Sequence, residues 1–280
     1  MRAAWPAIRN VFKAWALLLG LCAGLGALGW WLSGYRVASI FVFSGLLLGL
    51  GVASYADRVA MGMVDARELL PGEAPALHST VERLALQARV VKPRLYVVSE
   101  GFPIALSAGR GATSSALAVS TGLLGVPSPA EIEGVVAHEI AHVRNRDVLV
   151  QTTAVVLAAL LVEASRMGGW MSRALLYMLG PVAASFVHLL LSPRREFEAD
   201  RLAAELCASP HGLADALVRL EQASELVEFR ASPATEPLYT INPFMEKGLA
   251  GLFVTHPPVA ERVRRLRDLD PDWREKLRAA

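Results

Sequence analysis

The 280-residue chain is short of charge and of cysteine, and its first 56 residues contain no acid at all. Charged residues make up 19%, against about 25% in a soluble globular domain. So little charge excludes an intrinsically disordered chain, which is charge-rich and poor in apolar residues. Two cysteines, Cys22 and Cys207, cannot build a disulfide framework, so a stapled secreted mini-protein is excluded as well. Both read as small buried or lipid-facing residues. No internal repeat, collagen-like period or low-complexity tract is present. Apolar residues fill the gap: the set AVILMFWYC reaches 54%, and mean hydropathy is +0.39. The composition points to a membrane protein or a membrane-anchored enzyme.

The acid-free stretch shows where the apolar excess lies. Ahead of Asp57, the first carboxylate, the only charges are Arg2, Arg9, Lys13 and Arg36. The pI near 8.7 therefore reflects a basic, apolar N-terminal module rather than a nucleic-acid surface, and no nucleic-acid partner is expected. Ala14 to Leu32 and Val37 to Ala56 are uncharged runs, each long enough at about 1.5 Å per residue to cross a bilayer core of about 30 Å. Trp15, Trp30, Trp31 and Tyr35 mark their ends as interfacial aromatics do. Ser33 to Arg36 forms the turn between them, and a second span so close behind argues against a cleaved signal peptide. Gly20/Gly24 and Gly45/Gly49 have the spacing that lets spans pack closely. Basic residues flank the outer ends, which puts both termini of this hairpin on the cytoplasmic side. Val148 to Val162 and Ala174 to Leu191 are shorter apolar runs, read as a second membrane hairpin around Gly168-Gly169. His188 within it reads as a hydrogen-bonded interior histidine.

After Asp57 the composition becomes mixed. The spacing predicts an amphipathic helix over Glu73–Val90, short strands over Leu95–Val98, Ile104–Ala108 and Ala116–Ser120, and a helix from Ser128 to about Arg144. That last helix carries a start signal: Ser128 as cap, Pro129 in the first turn and Glu131 closing a capping box. Ser192-Pro193 opens another helix through Cys207, and two amphipathic helices follow, near Gly212–Phe229 and Pro258–Leu269.

The chemistry lies on the capped helix, in His138-Glu-Ile-Ala-His142. Histidines four apart share a helix face, so two imidazoles can converge on one ion, and Glu139 stands about 100° round from His138, placed to act as a general base on water. A shuffled chain of this composition would hold roughly 0.007 such motifs, so chance is a poor explanation. A catalytic zinc site takes three protein ligands. Glu196 and Asp200, four apart on the helix opened by Ser192, are both candidates for the third; His211 and His256 qualify by residue type. Glu198 falls on another face.

HEIAHVRNRD, then SPRREFEADRLAA about fifty residues on, then THPPVAERV, resemble the HtpX-type membrane zinc metalloproteases, relatives of the CAAX prenyl endopeptidases. The resemblance spans nearly the whole chain and implies an α+β, mostly helical, zincin-like fold with a small sheet. Four parts follow: a transmembrane hairpin over 1–56, a first half with the HExxH helix over 57–147, a second transmembrane hairpin over 148–191, and a helical second half over 192–280. It implies one zinc per chain held by His138, His142 and Glu196. Asp200 would orient a ligand histidine, and His256 and Arg262 would stabilise substrate or oxyanion. Ile104, Ala105, Leu106, Ser107 and Ala108 would form the edge strand that pairs with an extended substrate. The family pattern there resembles PNAFATGR, and this chain departs from it with Ile104 for Asn and Leu106 for Phe, which puts inherited specificity in question. Pro193 also replaces a common Arg.

The expected activity is a zinc endopeptidase at the cell inner membrane, with its catalytic domain on the cytoplasmic side and misfolded or damaged membrane proteins as substrates. Three alternatives stand beside it. A site-two-type intramembrane protease would bury HExxH in a span, yet Glu131, Glu133, Arg144, Arg146 and Asp147 surround the motif. A non-catalytic scaffold with a structural metal would have no use for Glu139. A prenyl-CAAX processing enzyme shares the chemistry, but its close relatives have more spans.

Overall fold

The computed structural model describes residues 34–125, 128–166, 192–226, 239–240 and 256–272, with scattered positions between 12 and 33 and at 181 and 185. The first apolar run therefore lies largely, and the run Ala174 to Leu191 almost wholly, outside the described residues. Among the described residues, no helix is long and apolar enough to cross a membrane.

The first continuous helix, α1 (Tyr35–Met63), begins after Gly34, whose φ of 78° is open to glycine, and breaks its regular geometry at Tyr55. The kink falls where the apolar run gives way to charge. Asp57, just beyond it, is buried and paired with Arg94 of the sheet, which ties the end of this helix to the body. Strand β1 (Arg67–Glu68) and helix α2 (Pro75–Ala88) follow. Leu77, Val81, Leu84 and Ala88 recur at helical spacing and are the residues α2 buries.

Strands β2 (Arg94–Val98), β3 (Ala105–Gly111) and β4 (Ser114–Ser120) complete a four-stranded sheet in the order β1-β2-β4-β3. β2 runs parallel to β4, while β3 is antiparallel to it, with Ser107 opposite Leu117. β3 and β4 are buried along nearly their whole length because both faces of the sheet are covered there. Among the described residues β3 is an edge, met only by an isolated bridge from Leu106 to Tyr239.

A short helix, α3 (Thr121–Gly125), leads to the capped helix α4 (Pro129–Asn145). Its start is as the sequence predicts: the Glu131 backbone N–H donates to Ser128 Oγ at 3.3 Å, and the Ser128 N–H donates to Glu131 Oε2 at 2.6 Å. The helix ends at Arg146, whose left-handed φ of 59° turns the chain straight into α5 (Asp147–Arg166). The first half of α5 holds the run that begins at Val148. Val148, Val150, Ala154 and Val155 are buried, and Thr152 Oγ1 accepts a hydrogen bond of 3.1 Å from the Gly109 N–H of β3. That half belongs to the core of the body, packed on the sheet and on α1.

Helices α6 (Pro193–Cys207), α7 (His211–Leu226) and α8 (Val259–Arg267) close the other side. α4 is the hub, packed against β3, α6 and α7 at once. Its approach to α7 is close enough to need glycine on both sides: a Cβ on Gly134 would lie 2.5 Å from the Leu213 nitrogen, and one on Gly212 would lie 2.3 Å from the Ala130 oxygen. Val135, Val136, Ile140 and Val143 are fully buried there, each worth roughly 1.5–3 kcal/mol in apolar burial. This packing fixes the rotation of α4 and so the direction of its polar residues. Both cysteines are free thiols; burial, with Glu133 nearby, pushes the Cys207 thiol up to about 12.

Candidate metal centre

On α4, His138 and His142 stand one turn apart with Glu139 between them, and all three are buried. α6 packs across this face and brings Glu196 against both rings. Glu196 Oε2 is 3.5 Å from His138 Nε2, Glu196 Oε1 is 3.7 Å from His142 Nε2, and the two imidazole Nε2 atoms are 3.1 Å apart. One ligand atom from each residue fits within 4.8 Å of the others, so His138, His142 and Glu196 can hold a single ion. Of the two carboxylates the sequence leaves open, Glu196 stands at that point.

Asp200 takes the other position, on the far side of His138. Its Oδ1 lies 3.0 Å from His138 Nδ1, which directs the Nε2 lone pair toward Glu196. His142 has an equivalent partner in Asp147, whose Oδ2 is 3.1 Å from His142 Nδ1. Each ligand histidine thus has a carboxylate behind it, one from α6 and one from the start of α5. Asp147 is reached only because Arg146 adopts the left-handed turn that folds the chain back on α4. In the sequence it reads as one more charge beside the motif, and nothing in its spacing singles it out.

Arg262 of α8 is fully buried and serves Asp200. It donates from Nε to Asp200 Oδ2 at 2.9 Å and from Nη2 to Oδ1 at 2.7 Å, a bidentate pair. Its Nη1 donates to the Thr240 carbonyl at 2.6 Å, and Nη2 lies 3.4 Å from the His138 ring nitrogens. His256 Nδ1 is 3.2 Å from Glu196 Oε2, so His256 sits beside the ligand cluster. The resemblance gives Arg262 and His256 a part in holding substrate; the structure places the first against Asp200 and the second against Glu196.

The electrostatics match a cation. Four buried carboxylates (Glu139, Asp147, Glu196, Asp200) face two buried guanidiniums (Arg195, Arg262) and the imidazoles of His138 and His142. Burial alone would raise the Glu196 carboxyl, but His256 and His142 outweigh it and hold it well below the usual range. Burial is likewise outweighed at Asp200, which Arg262 lowers to about 2. His142 is pushed up to about 10: burial opposes its charge, and Glu196 and Asp147 overcome that opposition. Glu196 Oε2 is buried between His138 Nε2 at 3.5 Å and His256 Nδ1 at 3.2 Å, so three groups able to ligate a metal face one point. Two imidazole nitrogens and a carboxylate oxygen form a donor set suited to zinc.

Glu139 stands outside that three-residue cluster. Its Oε2 accepts from Ser107 Oγ at 2.6 Å and its Oε1 from Thr240 Oγ1 at 2.8 Å, so the carboxylate is fixed between β3 and the Tyr239–Thr240 pair. Ile104, Ala105, Leu106, Ser107 and Ala108 are all buried along this side of the sheet. The Thr240 N–H donates to the Ala105 carbonyl at 3.3 Å, which puts two residues of the chain itself on the strand edge that the resemblance assigns to substrate. Thr240 has no signal in the sequence. Ser107 has a faint one, the hydroxyl inside an otherwise apolar run.

The sequence pattern described as Peptidase family M48 matches residues 71–270. The chain is similar to the "Protease HtpX homolog" of Pelotomaculum thermopropionicum, at 36% identity over 275 residues, covering 92% of this chain and 98% of that one. It is 37% identical over 273 residues to the "Protease HtpX homolog" of Pyrococcus abyssi, covering 91% and 93%. Among solved structures, S. mikatae Ste24p matches with a TM-score of 0.48 and 19% identity, over 92% of this chain and 65% of that one.

Proposed function

The chain belongs to peptidase family M48 and is a metallopeptidase; on that premise we propose that it is a membrane-anchored zinc endopeptidase cutting exposed segments of misfolded or damaged membrane proteins. The observation that carries the zinc reading is the cluster itself: His138, His142 and Glu196 converge, each ligand histidine is backed by a carboxylate, and Glu139 stands beside them without joining them. A zinc ion held by those three residues would supply Lewis acidity and make water nucleophilic near neutral pH.

The chain's own residues supply the rest. Glu139 takes a proton from the attacking water as its oxygen adds to the scissile carbonyl carbon. When the carbon–nitrogen bond breaks, Glu139 returns that proton to the leaving amine, so it begins and ends the cycle ionised. Asp200 and Asp147 hold the two imidazoles by their Nδ1 atoms, and Arg262 holds Asp200. An extended substrate would pair with the backbone of β3 between Ile104 and Ala108, which requires the Tyr239–Thr240 pair to leave that edge.

Membrane attachment is supported by α1. Ile40, Phe43, Leu47 and Leu50 lie exposed along it, within an uncharged run from Val37 to Ala56. Apolar surface of that kind is costly in water and stable in lipid. The lack of acid before Asp57 and the basic residues at its flanks support a cytoplasmic catalytic body. Both membrane hairpins belong to this reading, the second with the start of its first run, Val148 to Val155, held in the core of the body.

The test is to purify the full chain and Glu139→Gln in detergent, measure zinc content, and follow cleavage of casein and of a membrane protein. One zinc in each and cleavage only by the wild type is expected; equal cleavage by both would overturn the mechanism. Comparing Glu196→Ala with Asp200→Ala tests the third ligand, since loss of zinc only in Asp200→Ala would reverse the assignment.

A further inference from the structure

We propose that Ser107 is a positioning residue for Glu139: its hydroxyl pins Oε2 and leaves Oε1 as the oxygen that receives the proton of the attacking water. The proposal rests on the peptidase reading above and assigns different tasks to the two oxygens of one carboxylate.

A carboxylate is symmetric, and it acts as a directed base only when one oxygen is held and the other faces the water. Both oxygens of Glu139 are met by hydroxyls, Oε2 by Ser107 at 2.6 Å and Oε1 by Thr240 at 2.8 Å. A hydroxyl has a single proton to donate, so the second acceptor within reach decides which bond can be released. Thr240 Oγ1 also lies 3.3 Å from the Ala105 carbonyl. It can turn its proton there and free Oε1 at little cost. Among the described residues the other acceptor near Ser107 Oγ is the Glu139 carbonyl, at the outer limit of 3.5 Å, so its proton stays on Oε2.

The backbones differ in the same sense. Ser107 sits inside the β3–β4 ladder, flanked by the pairs Leu106 with Ala118 and Ala108 with Ala116. It is 1% exposed and cannot move without its strand. Thr240 follows an isolated bridge, on the very edge where an extended substrate would pair. A substrate that takes this edge therefore displaces the donor on Oε1 and leaves the donor on Oε2 untouched. In this arrangement Ser107 links the substrate strand to the base, holding the carboxylate in one orientation through the cycle.

The experiment uses the full chain in detergent, loaded with zinc, with Ser107→Ala, Thr240→Val and Glu139→Gln beside wild type. Steady-state cleavage of a fluorogenic peptide, zinc content and Tm are measured for each. Ser107→Ala is expected to lower kcat by about tenfold or more, as loss of orientation does, with KM within about twofold and zinc content and Tm as in wild type. It is also expected to lose at least tenfold more kcat than Thr240→Val. A kcat equal to wild type, a loss matched or exceeded by Thr240→Val, or a fall accompanied by zinc loss, lower Tm or raised KM would each overturn the proposal. Equal activity of wild type and Glu139→Gln would instead overturn the peptidase mechanism, so the two failures are separable.

Discussion

Helix α1 and helix α4 use opposite rules. On α1 the large apolar residues face outward, with Tyr35 67%, Ile40 61% and Phe43 61% exposed. On α4 and its neighbours the charged residues face inward: His138, Glu139, His142, Glu196, Asp200 and Arg262 are all buried, the last completely. Each inversion is expensive in water, and the proposed function gives each its own surrounding. Around α1 the proposed surrounding is lipid. At α4 the proposed surrounding is a divalent cation, since the buried carboxylates outnumber the buried guanidiniums. The comparison explains how one chain can be rich in apolar residues and yet hold a concentrated charge network: the two are kept in different helices, joined at the kink and at the Asp57–Arg94 pair.

The strongest way to break this comparison is at the base. Glu139→Gln should lower peptidase kcat by roughly 10²–10⁴-fold while zinc content stays near one per chain; a rate within tenfold of wild type would mean the buried carboxylate is not there for proton transfer. Next is Arg262→Met, which strands Asp200 as an uncompensated buried charge. Loss of about 3–5 kcal/mol of stability is expected, read as a lowered Tm, and an unchanged Tm would show that the network is open to solvent. On the apolar side, Ile40→Arg should disfavour membrane insertion by about 2.5–3.5 kcal/mol, seen as a larger fraction extracted from membranes by carbonate. An effect no larger than that of a surface substitution on α2 would remove the lipid from the contrast.

Two smaller effects sharpen the inner half. Asp147→Ala should weaken zinc affinity about 10–100-fold, measured by chelator competition, because His142 loses the partner on its Nδ1. Acid should act through Asp200. Its carboxyl is near 3.8 when unfolded and about 2 when folded. Its contribution is therefore fully present above pH 4 and is lost as the pH falls through about 2, amounting to about 2 kcal/mol. Denaturant unfolding from pH 5 to pH 2 should show that loss in wild type and not in Asp200→Asn.

Much of this was legible beforehand. The start of α4 at Ser128 and Pro129, the HExxH pair, the Pro193 start of α6 and the three strands all rest on short-range rules, caps and periodicities that a few adjacent residues satisfy. Glu196 and Asp200 were legible as a pair but not as individuals, since both lie on one face of one helix. The choice between them depends on the height at which α6 crosses α4. The apolar run from Val148 shows the limit of composition: its first half packs on β3, and a buried core helix and a membrane segment look alike when only hydropathy is read. Asp147, Ser107 and Thr240 were beyond reach because each acts across a turn, a ladder or a long stretch of chain.

What the sequence determined by itself is the chemistry and its rough location: a chain with no acid before Asp57, two histidines one turn apart with a glutamate between them, and acidic candidates on a later helix. These are local facts, written in spacing and composition. The tertiary structure decided which carboxylate meets both imidazoles, which ones stand behind them, where Arg262 goes, and what fixes Glu139. Those are distances of about 3 Å between residues as much as 124 apart in the chain, set by the close contact of α4 with α6, α7 and β3. Hydrogen bonds and ion pairs fall away within an ångström or so of their ideal length, so only the packed fold can specify them.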